Sequence, residues 1–167
     1  MAVGEFRRDQ AWLDCSTKNL KWGSVIKHSL TRTVTEYDNV LFTTMTMNPQ
    51  PLHLDAEFSK RTMYGQRLVN SVLTLGIVGG LAVTDTTLGT TLGNLGFEKI
   101  VFPKPVFHGD TLRTETEIVA KRESKSRLDA GIVTFRHRGY NQQDEPVCEC
   151  VRAGLMMKRS AATAADS

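Results

Sequence analysis

The chain has 167 residues, a length that suits one domain and is too short for two independent hydrophobic cores. Charged residues make up 23% of the sequence and the formal net charge is only +3, which argues against a nucleic-acid-binding protein but is compatible with an anionic small-molecule substrate. No stretch reaches the roughly 20 apolar residues that a membrane-spanning helix needs, and the N-terminal segment lacks the apolar run of a signal peptide, so we expect a cytoplasmic protein.

Both ends of the chain lack hydrophobic periodicity. Residues 1 to about 22 show no clear period, and residues 159–167 are mostly small and polar. We therefore expect a single domain over residues 1–167 with loosely ordered ends.

The first regular elements are a strand and a helix. Alternating and β-branched residues over 25–34 predict a strand. Thr35, with Asp38 three residues further on, is a typical helix N-cap pattern, so we expect a helix from there to about Thr46.

The second half of the chain begins with one long apolar segment. Residues 69–86 are apolar almost all round and include Gly76, Gly79 and Gly80, which predicts a helix buried on most sides and closely approached by its neighbours. Alternating runs then predict strands over 94–102, 111–123, 127–140 and 146–157, separated by turn signals. This order predicts an α+β fold in which an antiparallel sheet wraps around a long central helix.

The segment between the first helix and Asp55 is the most informative part of the chain. Pro49 and Pro51 fix their own φ angles and push the residues before them, Asn48 and Gln50, toward extended conformations. The sequence therefore predicts a stiff loop that presents Asn48, Gln50 and His53. A stiff polar loop suits a catalytic group, so we look for chemistry at His53, although a lone loop histidine taken by itself is more often structural.

Several other residues have a structural interpretation. Asp55 is expected to cap a short helix over 56–62 and so to steady the segment before it. Cys148 and Cys150 would share one face of a strand with no second ligand pair nearby, so we expect buried structural thiols and no metal site. The remaining histidines of the predicted domain are also expected to be structural: His28, His108 and His137.

The proline and histidine segment resembles the signature of the MaoC-like, R-specific enoyl-CoA hydratases, a family of hot-dog proteins. That signature runs Asp-x-Asn-Pro-x-His, then a hydrophobic residue and Asp, whereas this chain reads Asn48-x-Gln50-Pro51-x-His53-Leu54-Asp55. Segments 62–71, 105–112 and 141–147 are also similar to the family, so the resemblance covers most of residues 23–157. It implies a hot-dog fold, but the family Asp is replaced by Asn48 and the family Asn by Gln50.

The resemblance implies a lyase that adds water to, or removes it from, the double bond of a 2-enoyl-CoA thioester. It implies no cofactor, because coenzyme A is part of the substrate. By motif position His53 supplies the acid/base group, and the backbone N–H of Ser71 holds the charge that develops on the thioester oxygen. Asn48 cannot take a proton, so we hypothesise that Asn48 and Gln50 orient the water while His53 alone transfers protons.

The chain is further similar to the branch that acts on branched C5 dicarboxylyl-CoA esters, such as mesaconyl-CoA and itaconyl-CoA. A neutral Asn48 avoids a second anion beside a substrate carboxylate, which itself needs a cation; Arg67 is the first candidate and Arg61 the second. The resemblance places the following residues at substrate-binding positions: Gln50, Tyr64, Arg67, Asn70 and Ser71. Family members pair across their sites, so we expect a homodimer that can assemble further.

Three other functions stay open. Loss of the family Asp also fits a non-catalytic, acyl-CoA-binding partner subunit, which would be indifferent to a substitution of His53. A dehydratase of R-3-hydroxyacyl thioesters with monocarboxylic chains is the second alternative. Thioester hydrolysis is the third, although Pro51-Leu52-His53 is a poor match to what thioesterases carry before the core helix.

Overall fold

The computed structural model describes residues 20–158, and the expected loose ends fall almost entirely outside this range. Leu20 belongs to a buried cluster with Ile118 and Phe135. The indole N–H of Trp22 donates to the carbonyl of Val119 (3.0 Å). The prediction of a loose end is therefore wrong for residues 20–22, because an apolar side chain there is part of the core.

Apart from α2, which the sequence did not predict, the elements follow the predicted order. They are β1 (Val25–Thr33), α1 (Glu36–Met45), α2 (Pro51–Leu54), α3 (Ala56–Lys60), α4 (Ser71–Thr86), β2 (Thr91–Val101), β3 (Thr111–Glu123), β4 (Ala130–Tyr140) and β5 (Pro146–Met157). The bounds of β3 and β5 are as predicted, and the other predicted elements differ by a few residues. Thr35 and Asp38 form the predicted capping box of α1, in which each side chain accepts a backbone N–H of the other residue.

Within residues 20–158 the strands form one five-stranded antiparallel sheet in the order β1-β3-β4-β5-β2. Side chains alternate between buried and less buried along β3 and β5, as expected for strands with one face toward a core. The helix α4 contacts β1, β3, β4 and β5, so the predicted α+β arrangement of a sheet around a long helix is confirmed. No helix in this part of the chain is long and apolar enough to cross a membrane.

One side of α4 is buried and the other is exposed. Val78 is fully buried, and it lies so close to Gly139 of β4 that a Cβ on Gly139 would collide with its methyl groups. The opposite side carries the exposed residues Val72, Gly76 and Gly80. Apart from the adjacent residues and the neighbouring backbone of α4 itself, no heavy atom of the described residues comes within 4 Å of a Cβ built on the α4 glycines. The prediction of a helix buried on most sides is therefore wrong for this chain, because its sheet covers only one side.

A row of polar side chains crosses the buried face of the sheet. Arg152 on β5 donates from Nε to Nε2 of His137 (2.9 Å), so Nδ1 of His137 carries the proton and donates to Oγ1 of Thr116 (2.7 Å). The Thr116 hydroxyl then donates to Nε2 of His28 (2.8 Å), whose Nδ1–H donates to the Asp85 carboxylate (2.8 Å). Burial, helped by the Arg152 cation, lowers the pKa of His137 to about 3. Both imidazoles are thus structural, as predicted.

Candidate active site

His53 lies on α2, a single helical turn, and not on the loop that was predicted. Pro51 occupies the first turn of α2, where its missing N–H removes no helical hydrogen bond. Gln50, just before it, is extended (φ −63°, ψ 116°), as a residue before proline is expected to be. Pro51 therefore fixes the start of a helical turn in place of the predicted loop, and the stiffness of the segment stays a prediction.

The tautomer of His53 is set by one hydrogen bond. Its Nδ1 lies 2.8 Å from the backbone carbonyl oxygen of Leu68. A carbonyl oxygen can only accept, so Nδ1 carries a proton, and in the neutral imidazole Nε2 therefore keeps its lone pair. Nε2 has no hydrogen-bond partner among residues 20–158. The half-buried imidazole therefore leaves Nε2 unoccupied, which is the arrangement that a general base requires.

Asn48 and Gln50 lie immediately before the His53 turn. The side-chain oxygen of Asn48 accepts the backbone N–H of Gln50 (3.0 Å), which closes the turn. The backbone N–H of Asn48 donates to the carbonyl of Thr43 (3.0 Å), which attaches the turn to the end of α1. Within the described part of the chain, the side-chain NH₂ group of Asn48 has no hydrogen-bond partner. The same is true of both the oxygen and the NH₂ group of the Gln50 side chain. These NH₂ groups are available as donors to a bound molecule.

The N-terminus of α4 is capped by Asn70. Its side-chain oxygen accepts the backbone N–H of Val72 (3.0 Å), and its side-chain amine donates to Oγ1 of Thr43 (3.4 Å). Asn70, which the resemblance places at a substrate-binding position, is buried and its backbone N–H is bound by Asn39, so it offers no free backbone donor. Ser71 is exposed, and its backbone N–H has no acceptor among residues 20–158. The N–H of Ser71 is therefore a free donor at this helix start.

Arg67 and Tyr64 lie on the segment that leads to α4. The mostly buried Arg67 side chain forms an ion pair with Glu36 (Nη2–Oε1 2.6 Å) and approaches the carbonyl of Leu54 (3.5 Å). The cation expected to bind a substrate carboxylate thus already faces a carboxylate of α1. The ring of Tyr64 packs edge-on against Phe107, with 6.3 Å between ring centroids. Arg61, the second candidate cation, is exposed.

Two residues that the sequence did not single out complete the site. Asn39 on α1 is fully buried and donates from Nδ2 to Nε2 of His108 (3.0 Å), to the carbonyl of His53 (3.2 Å) and to that of Leu68 (3.3 Å). Burial and the neighbouring Arg67 cation lower the pKa of His108, against an opposite effect of Glu36. His108 was expected to be purely structural, but it lies beside the support of His53.

Asn39 had a recognisable signal in the sequence, whereas His108 had none. Asn39 and Thr43 are polar residues four positions apart on a helix, so they share one face, and both are buried there. A polar pair on an inward face indicates a buried hydrogen-bond site. His108 reaches the site because Phe107 pairs with Leu68 in an isolated antiparallel bridge between distant segments. Among residues 20–158 no group of three or more His, Cys, Asp or Glu side chains is arranged to hold a metal ion.

The chain belongs to the family of proteins with a MaoC-like domain, whose family model matches residues 18–140. It is 31% identical over 150 residues to mesaconyl-CoA hydratase of Cereibacter sphaeroides, covering 90% of this chain and 43% of that protein. It is also 31% identical over 142 residues to β-methylmalyl-CoA dehydratase of Chloroflexus aurantiacus, covering 85% of this chain and 40% of that protein. The chain thus spans about two fifths of the length of these relatives.

A solved structure identifies the fold. A Mycobacterium tuberculosis protein described as having a double hot-dog fold superimposes with a TM-score of 0.73 at 22% sequence identity, covering 83% of this chain and 43% of that one. The sheet and long helix of the present chain are therefore a hot-dog fold, as the resemblance implied.

Proposed function

We propose that this protein is a hydratase that adds water to the double bond of a 2-enoyl-CoA thioester, or removes it in the reverse direction. The observation that carries the proposal is the state of His53: its Nδ1–H is held by Leu68 and its Nε2 is free. The MaoC-like family and the names of its mesaconyl-CoA and β-methylmalyl-CoA relatives support the same reaction class.

The proposed reaction begins with proton transfer from water to Nε2 of His53. The water oxygen bonds to the β-carbon, and the electron pair of the double bond moves onto the thioester carbonyl. The developing negative charge is stabilised by the N–H of Ser71, where the dipole of α4 also favours an anion. The His53 imidazolium then returns a proton to the α-carbon, which regenerates the base and completes the addition. No group beyond the coenzyme A of the substrate is required.

Asn48 is proposed to orient the water. Its oxygen is already bound to the N–H of Gln50, whereas its amine is free to donate to the water oxygen. An amide cannot accept the proton, so His53 carries both transfers. The side chain of Gln50 is exposed beside it and is proposed as a second contact to water or substrate.

We propose a short branched dicarboxylyl-CoA ester as the substrate class. A neutral Asn48 places no anion beside a substrate carboxylate, and like charges in a partly dry site repel strongly. Arg67 is the proposed cation, and the substrate carboxylate would share it with the exposed Glu36 or displace that residue. The two relatives named for mesaconyl-CoA and β-methylmalyl-CoA support this class.

The second candidate function is a non-catalytic subunit that binds acyl-CoA. The observation that favours it is Asn48, because the family carries an ionisable carboxylate at this position. Such a subunit would bind the same esters but would leave the double bond unchanged. The free Nε2 of His53 favours the hydratase.

The proposed function is tested by following the enoyl absorbance of mesaconyl-CoA, itaconyl-CoA and crotonyl-CoA with the purified protein. We expect loss of absorbance with a dicarboxylyl ester and a lower kcat/KM with crotonyl-CoA. Turnover of crotonyl-CoA alone would indicate the monocarboxylic alternative. Binding of all esters without turnover would contradict the hydratase and support the acyl-CoA-binding subunit.

Asn48→Asp tests the role of the neutral amide. We expect kcat/KM to fall about tenfold for mesaconyl-CoA, because one unfavourable charge contact of about 1.4 kcal/mol corresponds to that factor. We expect it to rise for crotonyl-CoA, because the carboxylate restores the ionisable group of the family and meets no acyl carboxylate. Initial rates on both esters measure the change, and Gln50→Glu is the matched control for a new charge on the same segment. A fall on crotonyl-CoA together with a rise on mesaconyl-CoA would exclude the proposed role.

We further propose that the protein is a homodimer. Apolar side chains are exposed on the edge strand β2, including Leu95 and Phe97, and Val72 is exposed on the uncovered side of α4. Exposed apolar surface of this kind is typical of an interface, and a second copy would cover it. Whether such dimers assemble further stays a prediction, as does the cytoplasmic location.

A further inference from the structure

We infer that Asn39 is a positioning residue that holds the candidate base His53 and the start of α4 in one fixed arrangement, an inference that rests on the proposed function. Asn39 lies on α1, outside the segment 48–55 that resembles the family signature. Asn39 itself is fully buried, so it acts through its neighbours and not by touching the substrate.

The contacts of Asn39 join three segments that are distant in the chain. Its side-chain oxygen accepts the backbone N–H of Asn70 (2.8 Å), the cap of α4. Its side-chain amine contacts the carbonyls of His53 (3.2 Å) and Leu68 (3.3 Å), together with Nε2 of His108 (3.0 Å). One amide therefore links the base, the carbonyl that sets its tautomer and the helix start.

The orientation of this amide is determined by backbone groups. The N–H of Asn70 can only donate, so it must face the side-chain oxygen of Asn39. The carbonyls of His53 and Leu68 can only accept, so they must face the side-chain amine. A flipped amide would place oxygen against oxygen and N–H against N–H, which leaves buried polar groups unsatisfied and is unfavourable.

The carbonyl of Leu68 is the point at which Asn39 affects His53. This oxygen accepts hydrogen bonds from the side-chain NH₂ of Asn39 and from the Nδ1–H of His53 (2.8 Å). Asn39 therefore fixes the position of the oxygen to which the imidazole is bound. The same amide holds the residue that precedes Ser71. The distance between Nε2 of His53 and the free N–H of Ser71 is therefore controlled from one buried side chain. A displacement of about 1 Å between reacting groups lowers a rate by about a hundredfold, so this control matters for turnover.

The test compares Asn39→Ala and Asn39→Asp with Thr114→Val. Asn39→Ala removes all four contacts, whereas Asn39→Asp keeps the volume and an acceptor for the Asn70 N–H but loses the donor to Leu68. Thr114 is buried and donates to the carbonyl of Val78 (3.1 Å) in the middle of α4, so Thr114→Val removes a buried hydrogen bond away from the site. We measure kcat and KM for the ester turned over by the wild type, and the ring ¹⁵N shifts of labelled histidines, with His53→Asn to assign the His53 signals.

We expect both Asn39 variants to lower kcat about 10–100-fold with KM changed by less than about threefold, and Thr114→Val to change neither appreciably. In the spectra, His53 should change from a single Nδ1–H tautomer to a mixture in the Asn39 variants only. A folded Asn39 variant with wild-type kcat and an unchanged His53 tautomer would overturn the inference. If Asn39→Ala does not fold, Asn39→Asp gives the same comparison. If the wild type turns over no ester, the proposed hydratase fails, but the tautomer still decides the role of Asn39.

Discussion

Replacing His53 by asparagine is expected to lower kcat for enoyl-CoA hydration by about a thousandfold, within the range of roughly 10²–10⁴ that general acid–base groups contribute. The physical reason is the free Nε2, which takes the proton from water and returns one to carbon in the proposed reaction. Asparagine has no titratable nitrogen at that position. Its side-chain amine can still reach toward the Leu68 carbonyl, which Nδ1 of His53 contacts at 2.8 Å. The substitution thus removes the base and keeps its anchor.

The comparison with His53→Ala separates the two functions of this side chain. Both variants should lose turnover, but only His53→Ala loses the hydrogen bond to Leu68, so its thermal midpoint should fall further. Substrate affinity measured by calorimetry should change little in His53→Asn. Turnover of His53→Asn close to the wild-type rate would exclude His53 as the base and would leave the acyl-CoA-binding subunit as the better interpretation.

Acidification from pH 7 to pH 5 is expected to lower the free energy of unfolding by about 2 kcal/mol through His137 alone. The pKa of this buried imidazole is lowered to about 3 in the folded protein, whereas the unfolded chain has the ordinary value of 6.5. The unfolded state therefore binds the proton first. The stabilising contribution is complete above pH 6.5 and is lost progressively as the pH falls toward 3. The slope is about 1.4 kcal/mol per pH unit in that window.

The Arg152 cation acts in the same direction. Arg152 on β5 contacts it directly, and His28 on β1 lies beyond the shared hydroxyl of Thr116. A proton on His137 would meet the Arg152 cation and would break the hydrogen bond that Nε2 accepts. His108, whose pKa burial also lowers, adds to the loss of stability on acidification.

Urea unfolding at pH 7, 6 and 5 measures this effect, with His137→Gln as the comparison. Glutamine has one donor and one acceptor but does not titrate, so the variant should be less stable at pH 7 and show a smaller loss of stability on acidification. The range stops at pH 5 because the carboxylates with lowered pKa, such as Glu117, remain ionised above it. An equal pH dependence in wild type and His137→Gln would contradict the assignment to His137.

The residue order alone was sufficient for the elements, the fold class and the location of the candidate base. Each of those features depends on local patterns: the alternation along β3 and β5, the Thr35–Asp38 capping box, and the spacing of Pro51 and His53. Such patterns act between residues a few positions apart, so they are visible before the chain is folded. The helical turn under His53 was missed because a four-residue helix has too few positions to show a period.

Only the tertiary structure revealed the support of the site and the uncovered side of α4. Asn39 contacts Leu68 and His108 because α1, the segment before α4 and the turn before β3 pack together. These contacts join distant parts of the chain, so no local sequence pattern predicts them. The tautomer of His53 follows from a carbonyl fifteen positions away. The glycines of α4 fit either a closely covered or an open helix face, because glycine is small in both settings; the placement of the sheet on the other side decides between them.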